Sequence, residues 1–170
     1  MPSAVDQQTR QLSEQLVNEI APKETILFQA TSDAYFKDPE ATLKEAQKAP
    51  GDDLMGFGAG GAVILLTPII LEVTKTALRL AARLGQQAVE DAVSERLQAE
   101  TSGVLGKVVS FFKKLLGQPE PQAKVEQLTL AQLKAVRQVA LTRAQELGLE
   151  DTQAVLLADA LVGKLALADP

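Results

Sequence analysis

The chain contains one long uncharged stretch, LMGFGAGGAVILLTPIIL, which spans residues 54–71. A helix needs about twenty apolar residues to cross the roughly 30 Å core of a bilayer, so these eighteen residues lie at the lower limit of a span. Thr67 and Pro68 are typical of the start of a new helix. The stretch therefore predicts either a glycine-rich start and a short helix followed by a break, or one helix kinked at Pro68.

Composition favours a helical fold around this stretch. The chain has 170 residues, no cysteine or tryptophan, and only 4% aromatic residues. Alanine, leucine, valine and glutamine are abundant, as in helical proteins rather than in strand-rich or disulfide-stabilised ones. A chain of this length can bury the core of one domain of ordinary size.

Two features of the sequence bear on location. The absence of cysteine is compatible with a reducing cytosol. The first twelve residues, MPSAVDQQTRQL, lack the basic region and the apolar core of a secretory signal. We therefore expect a cytoplasmic protein that is soluble, peripheral to a membrane or inserted in one.

The distribution of charge matters more than its total. The formal net charge of −5 disfavours a general nucleic-acid binder, because such a protein must gather cations against phosphate. Residues 101–118 nevertheless carry three lysines and no acid, among large apolar residues. This cationic region predicts an attraction to anionic lipid and not to nucleic acid.

Three helices are predicted in the first fifty residues. Apolar residues at helical spacing predict an amphipathic helix over residues 4–20. A second helix is expected to start at Pro22, and Asp38 followed by Pro39 predicts a short third helix that ends at the turn of residues 50–53. The residues expected to face inward are Val5, Leu12, Leu16 and Ile20 in the first helix and Ile26, Leu27, Ala30 and Ala34 in the second.

Two further helices are predicted over residues 69–100 and 103–117. The first would be long, with a single polar stripe on an otherwise apolar circumference, which indicates neighbours on several sides. The second, GVLGKVVSFFKKLLG, is typical of a basic amphipathic helix. Residues 119–126 contain two prolines and predict a linker. The polar stripe of the long helix consists of Glu72, Lys75, Arg79, Arg83, Gln87, Glu90 and Ser94.

The last part of the chain predicts a helical hairpin. Thr129 and Gln132 form a capping box at the start of its first helix, and Gly148 suits the end of that helix. Asp151 or Thr152 is expected to cap the final helix. The residues expected inward are Leu130, Leu133, Val136, Ala140, Ala144 and Leu147 in the first helix and Val155, Ala158, Val162 and Leu165 in the second.

The glycines of the uncharged stretch allow two functional interpretations. Residues 56–61, GFGAGG, fit the G-x-G-x-x-G pattern of a phosphate-binding turn, but no predicted strand precedes them and no βαβ unit follows. Gly56 and Gly60, four apart in apolar surroundings, favour close packing between helices. A hinge or a tight crossing inside a soluble bundle is the more common cause of such spacing.

The sequence offers little to catalysis. It contains no histidine and no cysteine, and no pair of carboxylates within an apolar helix face at the spacing of a di-metal bundle. Asp159 lies beside the apolar stripe of the last helix and is expected to pair with Arg143 across the hairpin. We therefore predict no enzyme activity, no catalytic residue, no cofactor and no metal site.

These patterns together predict an all-α fold, a multi-helix bundle with a long apolar central helix and a C-terminal helical hairpin. Residues 1–118 would form a helical domain that contains an apolar central hairpin over residues 54–117. Residues 119–126 would link this domain to residues 127–170, the C-terminal hairpin, which would pack on it.

The nearness of the apolar stretch and the basic helix suggests a non-enzymatic, membrane-active protein. We expect it to be latent in a soluble or peripheral form, and to engage or permeabilise a lipid bilayer through residues 54–71 and 103–117. The first alternative is a soluble helical adaptor or scaffold that binds a protein partner or self-associates. The second is a nucleotide-binding module that uses residues 56–61.

The membrane hypothesis assigns roles to particular residues. Lys107, Lys113 and Lys114 would contact the headgroups of an anionic membrane. Large apolar residues in the two segments would contact the membrane or a protein partner: Phe57, Val63, Ile64, Leu65, Leu66, Ile69, Ile70, Leu71, Val104, Leu105, Val108, Phe111, Phe112 and Leu115.

Overall fold

The computed structural model describes residues 3–47, 65–86 and 128–167. Within these ranges the chain is helical and contains no strand, so the all-α prediction is confirmed. The helices are α1 (Ala4–Ile20), a 3₁₀ helix (Pro22–Leu27), α2 (Phe28–Lys37), α3 (Pro39–Gln47), α4 (Leu66–Gln86), α5 (Leu130–Glu146) and α6 (Asp151–Leu167).

Helix α4 packs against α1, α2, α3 and α5. It begins at Leu66, so Pro68 occupies the first turn, where its missing N–H removes no intrahelical hydrogen bond. Every residue from Thr67 to Leu84 is buried except the four polar-stripe residues within that range, which are half-buried. The four half-buried residues are Glu72, Lys75, Arg79 and Arg83. Their spacing in the sequence had predicted that they share one face of the helix.

Helix α1 has the predicted bounds. Ser3 caps it by accepting a hydrogen bond from the Asp6 backbone N–H, while the Asp6 carboxylate accepts one from the Ser3 N–H. Val5 and Leu16 are buried in the core, as expected from the helical spacing. Leu12 and Ile20 are half-buried and pack against the same core.

The predicted inward face of the second helix is wrong. Ile26 and Leu27 are exposed, and Ala30 and Ala34 are exposed as well. The residues that are buried are instead Phe28, Ser32 and Tyr35. The reason is that Pro22–Leu27 forms a 3₁₀ helix, whose three residues per turn shift the phase of the faces relative to an α-helix started at Pro22.

The C-terminal hairpin forms as its local signals predicted. Thr129 and Gln132 make a complete capping box. Gly148 has a φ of 92°, the left-handed conformation that ends a helix and favours glycine. Asp151 is the first residue of α6 rather than its cap. Leu130 and Val155 were expected inward but are 70% and 38% exposed.

Helix α6 packs on α5 and also on α1, which joins the hairpin to the first part of the bundle. Among the described helices, none is long and apolar enough to cross a membrane. Several predictions fall on residues outside the described ranges: the apolar stretch up to residue 64, the extension of the long helix to residue 100, the basic helix 103–117 and the linker 119–126. The glycine motif at residues 56–61 lies outside them too.

Replacing the two described glycines of the hairpin by alanine should change the free energy of unfolding in opposite directions. An alanine methyl group at Gly148 or at Gly163 would meet no atom of the described residues within 4 Å, so neither substitution creates a clash with them. Gly148→Ala should lower the free energy of unfolding by about 1 kcal/mol, because alanine disfavours a positive φ. Gly163→Ala should raise it by about 0.5–1 kcal/mol, because Gly163 lies inside α6. Urea denaturation at submicromolar protein concentration measures both, and equal signs would contradict the prediction.

Candidate functional site

The amino-terminal end of α4 is held by a carboxylate from a distant segment. Glu24, in the 3₁₀ helix, accepts hydrogen bonds from the Leu66 N–H at 2.9 Å and the Thr67 N–H at 2.8 Å. The Thr67 hydroxyl donates a third hydrogen bond to Glu24 at 2.6 Å. A carboxylate here satisfies free helix N–H groups and is favoured by the helix dipole. Glu24 therefore fixes the point at which the preceding chain joins the bundle.

Exposed apolar side chains lie next to this junction along the chain, after Glu24 and before Leu66. Ile26 is 91% exposed and Leu27 is 54% exposed, although both are large hydrophobic residues. They follow Glu24 within the same 3₁₀ helix, which rises about 2 Å per residue, so they lie at the same end of the bundle. Leu65, directly before α4, is 41% exposed. We call Ile26, Leu27 and Leu65 the apolar end patch.

A half-buried polar network joins α2, α4 and α5. The Tyr35 hydroxyl on α2 donates to Glu72 on α4 at 2.5 Å, and Arg143 on α5 donates to the other oxygen of Glu72 at 2.9 Å. Arg143 also donates to Glu146 at 3.1 Å. One carboxylate thus joins three helices.

Burial and charge shift the pKa values of two members of this network, Tyr35 and Arg143. Burial, together with the charge of Glu72 and the hydrogen bond to it, raises the pKa of Tyr35 far above its usual range. Burial would lower the pKa of Arg143, but the charge of Glu72 and the hydrogen bonds to Glu72 and Glu146 outweigh it, so that pKa is raised. Tyr35 is therefore held as a hydrogen-bond donor and is not set up to act as a base.

A second network joins α1 to α4 and α2. Lys75 on α4 forms an ion pair with Asp6 on α1 at 2.8 Å, and its ammonium lies 5.3 Å from the centre of the Phe36 ring. Arg10 on α1 pairs with Asp33 at 2.7 Å, and its guanidinium carbon lies 5.0 Å from the Phe36 ring centre. Glu72 and Lys75 of the polar stripe of α4 are thus tied by contacts to neighbouring helices.

The acidic and basic side chains of these two networks bind one another. Within the described ranges, no group of three histidine, cysteine, aspartate or glutamate residues is placed to hold a metal ion. The side chains of the apolar end patch, in contrast, are exposed to solvent. What the end of the bundle offers is a surface for contact.

The structure divides the predicted contact residues into two groups. Ile69, Ile70 and Leu71 are fully buried in the core, so they contact no lipid or partner while α4 stays in the bundle. Leu66 is half-buried and Leu65 is exposed. The other predicted residues lie outside the described ranges: Gly56, Phe57, Gly60, Val63, Ile64, Val104, Leu105, Lys107, Val108, Phe111, Phe112, Lys113, Lys114 and Leu115.

The predicted partner of Asp159 is wrong. Asp159 forms an ion pair with Arg137, which precedes Arg143 on α5. Arg143 is directed towards α4, where Glu72 is less exposed than Asp159. The Glu24 cap and the role of Tyr35 were not found by sequence reasoning, because both depend on contacts between residues 37 to 43 positions apart.

Comparison with known proteins identifies no relative. A scan against protein-family models gives no match, and searches of curated proteins and of solved structures give none either. The functional inference therefore rests on the described residues and on the sequence.

Two arginines on α5 should differ in their contribution to stability. Arg143→Met removes the partner of Glu72, whose side chain is only 16% exposed, and should lower the free energy of unfolding by about 2–3 kcal/mol. Arg137→Met breaks the pair with Asp159, which is 52% exposed, and should cost less than about 1 kcal/mol. Denaturant unfolding of both variants is the measurement. Equal losses would show that the Glu72 network does not stabilise the bundle more than a surface pair.

The ion pair of Asp6 predicts an acid-dependent contribution to stability. Burial alone would raise the pKa of Asp6, but hydrogen bonds from Lys75 and Ser3 and the charge of Lys75 outweigh it, so the pKa is lowered. This stabilisation is present above the pKa of the unfolded chain, about 3.9, and is lost as pH falls through the lower folded value. Asp6→Asn should therefore be less stable than the wild type at pH 5–7, and the difference should shrink below about pH 4. A difference that stays constant down to pH 2.5 would contradict this.

Proposed function

We propose that this chain is a non-enzymatic, membrane-associated helical protein whose bundle carries a lipid-binding end. The observation that supports this most is the apolar end patch. Its exposed residues Ile26, Leu27 and Leu65 lie at the amino-terminal end of α4. The uncharged residues 54–64 join the bundle at that same point. Apolar surface and apolar chain thus meet at one end of the molecule.

Attachment through this end leaves the bundle folded. Engaging a bilayer with all of residues 54–71 would require α4 to withdraw Ile69, Ile70 and Leu71 from the core. Burial of such side chains contributes about 1.5–3 kcal/mol each, a large part of the 5–15 kcal/mol that usually holds a domain together. Contact through residues up to Leu66 has no such cost. We therefore propose that the protein first attaches peripherally. Any permeabilisation would follow only after a partner, cleavage or oligomerisation releases α4 from the bundle.

The basic segment 103–117 supplies the electrostatic part of the proposal. Its apolar residues would enter the headgroup region, and Lys107, Lys113 and Lys114 would attract anionic lipid. A long apolar central helix, running on from α4 towards residue 100, would place this segment after a continuous rigid element. The proposed location is the surface of an anionic membrane facing the cytoplasm.

The second candidate function is a soluble helical adaptor or scaffold. The observation that favours it is on α6, where Leu156 is 53% exposed and Leu167 is 84% exposed. Both lie far along the chain from the apolar stretch. An adaptor would use this surface and would not bind vesicles.

Flotation with vesicles rich in anionic lipid tests the end patch. Ile26→Glu with Leu27→Glu should reduce the bound fraction at least tenfold, because two side chains that would enter the lipid interface become charged. The matched control is Ala30→Glu with Ala34→Glu, which adds the same charge at exposed positions on α2 outside the patch. The control should float nearly as well as the wild type. Absence of flotation by the wild type at low salt, or equal losses in both variants, would contradict the proposal.

The lysines of the basic segment have a separate test. Replacing Lys107, Lys113 and Lys114 by glutamate should weaken binding to anionic vesicles and remove its salt dependence, because each lysine near such a surface contributes about 1 kcal/mol. Flotation at low and high salt, with neutral vesicles as the control, gives the comparison. Unchanged flotation of the triple variant would show that attachment is not electrostatic.

A further inference from the structure

Helix α4 is capped by a residue distant in the chain, whereas three other described helices are capped locally. Ser3 directly precedes α1 and Thr129 directly precedes α5, and each accepts a hydrogen bond from a backbone N–H of the first turn. Asp38 does the same for α3. Leu65 stands in the corresponding position before α4, but its side chain has no hydrogen-bond acceptor. The observed start of α4 therefore depends on a side chain from elsewhere in the chain.

Glu24 supplies this cap through both of its carboxylate oxygens. One oxygen accepts from the Leu66 N–H, and the other accepts from the N–H and the hydroxyl of Thr67. The 3₁₀ helix that carries Glu24 contributes no buried residue to the core. The cap is thus held by polar contacts rather than by packing, and its withdrawal would remove no buried side chain of the 3₁₀ helix from the core.

The residue that Glu24 holds most firmly, Thr67, has a local preference for lying outside the helix. In the structure Thr67 is the second residue of α4, so its backbone is helical. It directly precedes Pro68. The residue before a proline prefers an extended backbone, because the proline ring crowds it in the helical conformation. The contact with Glu24 therefore keeps Thr67 in a conformation that Pro68 disfavours.

A helix that began at Pro68 would satisfy both local preferences. Thr67 would stand at the cap position, where an extended backbone is normal and threonine is among the favoured residues. Pro68 would be the first helical residue, at which proline is over-represented. The Thr67 hydroxyl, which donates to Glu24 in the structure, would instead accept a hydrogen bond from an N–H of the first turn. Both starts retain the helix from Ile69 onwards.

We propose that Glu24 is a switch between two starts of α4. While Glu24 caps the helix, α4 begins at Leu66. When Glu24 withdraws, α4 begins at Pro68 and Thr67 becomes its cap. The change releases Leu66 from the helix and leaves the buried residues from Ile69 onwards in the core.

The switch sets how much apolar chain precedes the bundle. Release of Leu66, which is half-buried, extends the uncharged residues 54–65 by one large apolar side chain. Ile26 and Leu27 belong to the same 3₁₀ helix as Glu24, so a contact that moves this helix would operate the switch. Its relevance to lipid contact rests on the proposed function. The switch itself is a property of the bundle and is measured without lipid, so either proposal can fail while the other holds.

Backbone carbon chemical shifts of the full-length chain test the switch directly. In the wild type, Leu66 and Thr67 should show the shifts of helical residues. In Glu24→Ala, the Thr67 shifts should move to extended values while those of Ile69 stay helical. Thr129→Ala is the matched control, because it removes the cap of α5 and should leave the Thr67 shifts unchanged. Helical shifts that persist at Thr67 in Glu24→Ala, or helical shifts lost at Ile69 as well, would overturn the proposal.

Urea denaturation distinguishes the switch from a contact that Glu24 and Thr67 merely share. In the Glu24→Ala background, Thr67→Val should raise the equilibrium constant of unfolding about fivefold, because it removes the cap that α4 then uses. If α4 kept its start at Leu66, the buried Thr67 hydroxyl would have lost its bond to Glu24. Replacing it by an apolar group of the same shape would then be neutral or stabilising. An unchanged or reduced equilibrium constant of unfolding would rule the switch out.

Discussion

The described fold depends on how α4 keeps a line of charged residues inside a helical bundle. All of its residues from Thr67 to Leu84 are buried apart from Glu72, Lys75, Arg79 and Arg83. Buried charge is costly unless it is paired and hydrogen-bonded, and here α1 supplies Asp6 to Lys75 while α2 and α5 supply Tyr35 and Arg143 to Glu72. We expect these contacts to fix the rotation of α4 about its axis, because apolar packing alone would tolerate several orientations of a helix this hydrophobic.

The same constraint links the fold to the proposed function. The uncharged stretch 54–71 and helix α4 overlap in sequence, because α4 begins at Leu66. The last residues of that stretch are therefore part of the bundle. The Glu24 cap fixes where that stretch leaves the core, and the exposed Ile26 and Leu27 lie beside it. Residues on the two sides of Leu66 therefore have different roles in the proposal: those after it stabilise the bundle, and those before it are proposed to contact lipid.

Local signals in the sequence predicted much of the fold, and long-range contacts account for most of what they missed. The bounds of α1, the capping box of Thr129 and the left-handed Gly148 follow from interactions between residues close in the chain. The inward face of the second helix was missed because a 3₁₀ segment shifted its phase, and the partner of Asp159 was missed because the position of α4 directs Arg143 to Glu72. The end patch had no sequence signal, since an exposed isoleucine and leucine at helical spacing look like core residues.

Hydrogen exchange with and without anionic vesicles tests most directly the central claim, that the intact bundle attaches to lipid by one end. The account predicts that vesicles slow the exchange of backbone amides in residues 23–27 and 65–67. It also predicts that amides of α4 from Ile69 to Leu84 keep the protection they have in solution, because the core remains closed. Unchanged exchange at the end patch, or loss of protection along α4 on binding, would contradict it.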